Sequence, residues 1–508
     1  MTRTRRQPMM KAKHSDSTPP LTEAHDGTKQ ALDWDEAKPE RLVSRRLLSL
    51  IAAIPNPDVV RFLDGAYGRE RFFWSEPAGP DGDELTIIGI GSATELTVPP
   101  VLNETLAATP AGYRFDEIAW QARMLFDGAL IRVTNDHSGA LANHPARPRL
   151  FGGFAFQDDF IPDNTWSMFS PAQFILPHYQ IVRTGGRHYI TINAFIEEDE
   201  NLEESFEGMR EALTIQMTAI STRHARLISR PEIRYPMSPE SWAAIIYRAT
   251  EAIHRGPLEK VVLSRVCEVQ SDETIDGAAT LAHLNERYKD CFRFLFEPYP
   301  HHAFFGATPE LLVRKDSEQV TTMALAGSIA RGRDASEDAA LAEALLNSAK
   351  NRHEHQLVVQ AILTSLDGLV DNLNMAREPV VLSLRNIQHL LTPISGRATN
   401  DQADLLTLVR RLHPTPAMGG VPTNEAMAFL RKNEPVPRGW YAAPIGWLDA
   451  QGDGAFAVAI RSAVTQHTRA WLYAGAGIVG DSEPAAEWAE TALKFRPMLG
   501  ALGVEEIA

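Results

Sequence analysis

Between Ser238 and Ala508 the chain switches repeatedly from short stretches with a two-residue hydrophobic period to long stretches with a helical one. Such alternation demands a mixed α/β architecture in which sheets and helices share a core. The segment Lys260-Val-Val-Leu-Ser-Arg265 alternates like a half-buried strand, and Ala303–Gly306 and Glu310–Arg314 read as two strands about a Thr-Pro turn. Asp334–Leu346 reads as a helix with Ser336 as its cap, and a second helix is expected from about Asn351. The earlier region, to about Pro231, mixes strand-like pieces such as Leu85–Ile90 and His188–Ile196 with loops rich in Gly, Pro and Asp. No fixed-period repeat is visible, which excludes solenoids and propellers.

Size and composition permit an enzyme. The 508 residues are 44% hydrophobic and 23% charged, ordinary values for a globular chain. A net charge of −15 opposes general affinity for nucleic acid or an anionic membrane, so an anionic ligand needs local attraction. Cys267 and Cys291 are too few for a disulfide framework and lack zinc-site spacing, which fits a reducing cytoplasm. The best apolar run, Leu47–Ile54, is too short to span a bilayer. Residues 1–40, with scattered Arg, Lys, Ser and Pro, read as a disordered tail; 41–235 and 236–508 form two sequence regions.

Two features of the second region carry chemistry. On the helix after Asn351, Glu354 shares a stripe with Leu357, Val358 and Ala361, which turns a carboxylate inward; the plainer alternative is a first-turn acid favoured by the helix dipole. Near the end, Trp471-Leu-Tyr-Ala-Gly-Ala-Gly-Ile-Val-Gly480 reads as a strand entering glycine turns, whose bare amides ahead of a helix start make a seat for an anion. Neither nucleotide-binding glycine pattern is present. In the following helix Glu483, Glu487, Glu490 and Lys494 share one face. That face is either solvated or, together with Glu354, a site for a hard cation such as Mg²⁺, since no His or Cys accompanies the acids.

Taken together, the motifs resemble the chorismate-binding enzymes. The matching stretches are Lys260–Arg265, Phe305-Gly-Ala-Thr-Pro-Glu-Leu-Leu312, Ala324-Leu-Ala-Gly-Ser328, Ser348-Ala-Lys-Asn-Arg-His-Glu-His355, His389-Leu-Leu-Thr392, Leu412-His-Pro-Thr-Pro416, Ala459-Ile-Arg461, Ala474-Gly-Ala-Gly477 and Glu487-Trp-Ala-Glu-Thr491, in the family's order. Arg71-Phe-Phe-Trp-Ser-Glu76 and Gly152-Gly-Phe-Ala-Phe156 look like the isochorismate synthase branch, menaquinone type. The resemblance implies an α+β unit with large antiparallel sheets packed face to face and helices around them. It further implies a monomer or homodimer acting on chorismate, without nucleic acid or membrane.

The same resemblance assigns roles. Lys260 deprotonates a water and Glu310 protonates the departing hydroxyl, which requires a lowered lysine and a raised carboxyl pKa. Glu354 and Glu490 correspond to the Mg²⁺ ligands, with Glu487 beside them. Arg461, Tyr441 and the amides of Gly475 and Gly477 match a carboxylate seat; Gly327, Ser328, His389 and Lys494 complete the substrate site. Anthranilate and aminodeoxychorismate synthases are neighbouring readings, but amine-adding members carry an Arg-Asn-Asp-like stretch where this chain has Gln356-Leu-Val-Val-Gln-Ala-Ile362. Salicylate synthase remains an alternative, and a catalytically silent chorismate-binding scaffold is the non-enzymatic one.

Overall fold

The computed structural model describes residues 45–79, 84–101, 109–134, 144–218, 226–228, 231–400 and 403–504. The expected tail, residues 1–40, lies outside them. The 21 described strands join one hydrogen-bonded network. Among the described residues only Arg45–Ala53 with Leu130–Thr134 pairs in parallel.

Two long bent strands, Thr86–Val98 and Ala172–Thr184, pair along their length and feed two arms. One arm continues through Arg71–Ser75, Phe292–Tyr299, His302–Thr308, Ser462–Gln466 and Arg469–Ile478 to Lys260–Gln270. The other passes through Arg149–Phe154, Pro444–Asp449, Gly454–Val458, Leu311–Asp316 and Gln319–Ala330 to Ile387–Ala398. The arms pack face to face: Phe72, Phe294, Phe296 and Phe304 of the first share a core with Phe151, Ile445 and Ala457 of the second. Strands from either side of residue 235 therefore pair with one another.

Helices close both outer faces. Tyr113–Phe126, Ala349–Leu366 and Leu405–Leu412 cover the second arm through Phe115, Ile118, Val358, Ile362 and Leu406, packed with Phe154, Leu312 and Phe456. Gly277–Arg287 and Pro484–Ala501 cover the first through Leu281, Leu284, Phe495 and Met498. Double coverage explains why strands such as Arg71–Ser75, Arg149–Phe154 and His302–Thr308 are buried along their whole length. It also corrects the half-buried reading of Lys260–Arg265, because every residue of that segment is buried.

Local signals need smaller adjustments. The helix Ala335–Asn347 is capped by Asp334, whose carboxylate accepts from the amides of Ser336 and Glu337, so Ser336 lies inside the first turn. The next helix starts at Ala349, two residues before Asn351, because Ser348 caps it. The strand expected from Trp471 runs further than read, Arg469–Ile478, paired with Lys260–Gln270 throughout, so Gly475 and Gly477 lie within it and the turn begins only at Gly480.

Candidate active site

A cavity of about 290 Å³ opens where the end of the first arm meets the helices Ala349–Leu366 and Pro484–Ala501. That volume sits at the lower end of the range for small-molecule sites. Lys260, Glu310, Glu354, Glu487, Glu490, Gly327, Ser328, His389, Tyr441, Arg461, Gly475, Gly477 and Lys494 all line it, so the structure gathers every residue to which the resemblance gave a role. Three of these, Lys260, Arg461 and Lys494, give the cavity cationic groups within a chain of net charge −15. Glu483 does not join them: it is the exposed N-cap of its helix.

Lys260 begins its strand and is 3% exposed. Its Nζ donates to Glu354 Oε1 at 2.6 Å. The buried stripe of the helix Ala349–Leu366 is His355, Val358, Ile362 and Leu366, one residue on from the stripe expected. Glu354 thus sits beside the packed stripe, 28% exposed, and turned toward Lys260.

Glu310 lies at the joint between His302–Thr308 and Leu311–Asp316, held by its carbonyl accepting from Val458 N at 3.0 Å. Burial raises its pKa to about 8, although the nearby charge of Lys260 pulls the other way. A carboxyl so placed is protonated at neutral pH and can donate a proton.

Gly475 and Gly477 owe their small size to their neighbours. A Cβ at Gly477 would stand 3.0 Å from Lys260 Cε, and one at Gly475 would stand 3.2 Å from the Tyr441 hydroxyl. Their amides also have a defined direction. Val262, opposite Gly477, gives its N–H to Gly419 O, and Ser264, opposite Gly475, gives its N–H to Glu434 Oε1. Both are therefore non-hydrogen-bonded pairs of the antiparallel ladder, and the glycine N–H and C=O groups point away from Lys260–Gln270. Lys494 Nζ confirms that direction by donating to Gly475 O at 2.8 Å. The bare amides expected from glycine turns are thus, at Gly475 and Gly477, strand amides.

Arg461 is 9% exposed and adopts a left-handed backbone, φ +50°. Burial lowers its pKa, while Tyr441, Cys291 and Glu490 raise it. Tyr441 stacks on Tyr473 with ring centroids 5.2 Å apart. Gly327 occupies a bulge with φ +77°, a conformation glycine adopts without strain, next to Ser328. Its carbonyl accepts from His389 Nδ1 at 3.3 Å. Burial, with help from Arg461 and Lys494, lowers the His389 pKa to about 3. The ring is neutral, and since a carbonyl only accepts, Nδ1 carries the proton and Nε2 is left as an acceptor. Nε2 has no partner in the described structure.

Among the described residues no three His, Cys, Asp or Glu groups converge as a ready-made metal centre. Glu354 is engaged by Lys260, and Glu490 by Lys494 at 2.6 Å. The donor type nevertheless fits a hard cation, because three carboxylates from two helices border one cavity and no cysteine lines it. Burial and the charge of Glu490 both raise the Glu487 pKa, and a divalent cation would relieve that repulsion. In Glu490 burial pushes upward, but Lys494 prevails and the pKa is lowered.

Sequence reasoning passed over Lys350, Asn351 and Tyr473, which also line the cavity. Lys350 and Asn351 stood inside the Ser348–His355 motif, and their place at the start of a helix aimed at the site was the available signal.

The sequence model described as chorismate binding enzyme matches residues 33–503. The isochorismate synthase MenF of Bacillus subtilis (strain 168) is 34% identical over 463 residues, 90% of this chain and 94% of that protein. The salicylate biosynthesis isochorismate synthase of Pseudomonas aeruginosa is 37% identical over 385 residues, 72% of this chain and 78% of its own. Among solved structures, MenF, the menaquinone-specific isochorismate synthase from Escherichia coli, superposes with a TM-score of 0.72 at 25% identity, covering 90% of this chain and 95% of that one. Anthranilate synthase component I from Streptococcus pneumoniae, at 21% identity and TM-score 0.66, shares the fold.

Proposed function

This chain belongs to the chorismate-binding enzyme family, and on that premise we propose that it is a Mg²⁺-dependent isochorismate synthase acting in menaquinone biosynthesis. The observation that carries the chemistry is the pairing, across one cavity, of a buried lysine with a carboxyl that holds its proton near pH 7. The reaction adds water at C2 of chorismate and expels the C4 hydroxyl, so it needs a base on one side and an acid on the other. Lys260 takes the proton from the incoming water. Glu310 gives a proton to the departing hydroxyl, so one water enters and one leaves.

Chorismate carries two carboxylates. Arg461, the Gly475 and Gly477 amides and Tyr441 form the seat for one of them. Glu354 and Glu490, with Glu487 beside them, would hold Mg²⁺, which supplies positive charge for the other. Lys494 braces Glu490 and the Gly475 carbonyl together, and the His389 acceptor and Gly327–Ser328 border the ring. The menaquinone assignment is supported by the relative covering 90% of this chain and by the menaquinone-specific enzyme of similar fold.

Purified protein incubated with chorismate and Mg²⁺, with and without an ammonium salt, should yield free isochorismate on chromatography. EDTA should abolish turnover and Mg²⁺ restore it. Salicylate plus pyruvate as early products, an ammonium-dependent aminated product, or full activity without metal would each refute the corresponding part.

A further inference from the structure

Two of the motifs that mark the active site end in residues with no place in the chemistry: Arg265 closes Lys260–Arg265 and Thr491 closes Glu487–Thr491. The structure joins them. Arg265 Nε donates to Thr491 Oγ1 at 2.7 Å, and Nη2 donates to the Trp488 carbonyl at 3.1 Å. The guanidinium lies 3.6 Å from the Trp488 ring centroid and 5.0 Å from that of Phe495. Both partners are buried, Arg265 at 3% and Thr491 at 0% exposure. Strand alternation puts Arg265 on the face opposite Lys260, and it does not border the cavity.

The geometry on the helix is what gives the contact a purpose. Glu487, Glu490 and Lys494 follow one stripe toward the cavity, while Trp488, Thr491 and Phe495 follow the adjacent stripe, about 100° round the axis. The Thr491 hydroxyl, having accepted from Arg265, donates back to the helix, where the carbonyls of Trp488 (2.9 Å) and Glu487 (3.1 Å) lie within reach. Arg265 therefore grips the helix by its side chains and its backbone at the level of the acids. A carboxylate carried about 5 Å from a helix axis moves about 2 Å for each 20° of rotation, which is enough to spoil a metal site.

We propose that Arg265 is a positioning residue for the cation: through Thr491 and Trp488 it fixes the rotation of the Pro484–Ala501 helix and so aims Glu487 and Glu490 into the cavity. The inference rests on reading those acids as cation ligands. Lysine cannot replace the arginine, because it has neither the planar stack on Trp488 nor the forked pair of donors.

The test is Mn²⁺ binding to the full chain, followed by electron paramagnetic resonance with Mg²⁺ as competitor. The variants are Thr491→Val, Thr491→Ser, Arg265→Lys and Glu490→Gln, each with a thermal melt. Valine keeps the shape of threonine and removes only the hydroxyl; serine keeps the hydroxyl. Thr491→Val and Arg265→Lys should remain folded and weaken Mn²⁺ binding by about 10- to 100-fold, the usual cost of losing an outer-shell partner of a metal site. Thr491→Ser should bind within a few-fold of the parent. Wild-type affinity in folded Thr491→Val, alongside a loss in Glu490→Gln, would overturn the positioning role while leaving the metal reading intact. Unchanged binding in Glu490→Gln as well would overturn the metal reading and this inference with it.

Discussion

Glu310 shows most clearly how a single side chain acquires a task from its surroundings. Burial holds its pKa at about 8, so the acid form needed to protonate a leaving hydroxyl is present at neutral pH and disappears above it. The rate of the chemical step should accordingly fall as pH rises through about 8. Glu310→Gln should lower that rate by about 10² to 10⁴ and remove this limb of the profile. Lys260→Ala should lower the rate on the same scale, and single-turnover kinetics will read both. Stability carries the same signature: the folded pKa lies above the unfolded value of about 4.3, so the folded chain holds a proton that the unfolded chain releases. The stabilisation is complete below about pH 4 and declines as pH rises toward 8, and urea melts of Glu310→Gln across that window should lack the decline. The identity of these residues was legible only through the family resemblance, since a strand-end lysine and an acid after a Thr-Pro turn are ordinary on their own. Their electrical environment was not, since the shift at Glu310 depends on packing by segments distant in sequence.

At the level of elements, the site is set by close approaches between strands. Gly306 pairs with Ser462, and a Cβ at Gly306 would lie 2.7 Å from the Arg461 carbonyl and 2.8 Å from the Phe294 ring. Both are too near for a methyl group, so Gly306→Ala must move the backbone that presents Arg461. The variant should be about 1 to 3 kcal/mol less stable by urea denaturation and should raise the KM for chorismate more than it lowers kcat. Periodicity revealed these strands and helices, and the cap chemistry of Ser348 and Asp334 fixes ends that the pattern placed within two residues. It misjudged the Gly475–Gly477 segment, because glycines that make room for Lys260 and Tyr441 look the same in sequence as glycines that make a turn. It also assigned Lys260–Arg265 one solvated face, since the layers that bury the second face come from other parts of the chain.

For the whole molecule, the face-to-face arrangement came from family resemblance alone; no local pattern encodes which strands of residues 45–234 meet those of 235–504. The pairing of Arg71–Ser75 with Phe292–Tyr299, and of Arg149–Phe154 with Pro444–Asp449, makes the two stretches interdependent. A fragment of residues 236–508 would expose the unpaired sides of both strands, an aggregation hazard. Expressed alone, it should be insoluble or lack a cooperative thermal transition, and a soluble fragment with a sharp melt would contradict that expectation. The cavity also has a temporal consequence, because it borrows Lys260 from early in the second region and Glu490 and Lys494 from a helix made more than two hundred residues later. On the ribosome, at roughly 5 to 20 residues per second, a lysine strand already synthesised waits on the order of ten seconds or more for its acidic partners. Until then the cavity of the emerging chain lacks Glu487, Glu490 and Lys494, so full stabilisation by ligand binding comes only with the finished protein.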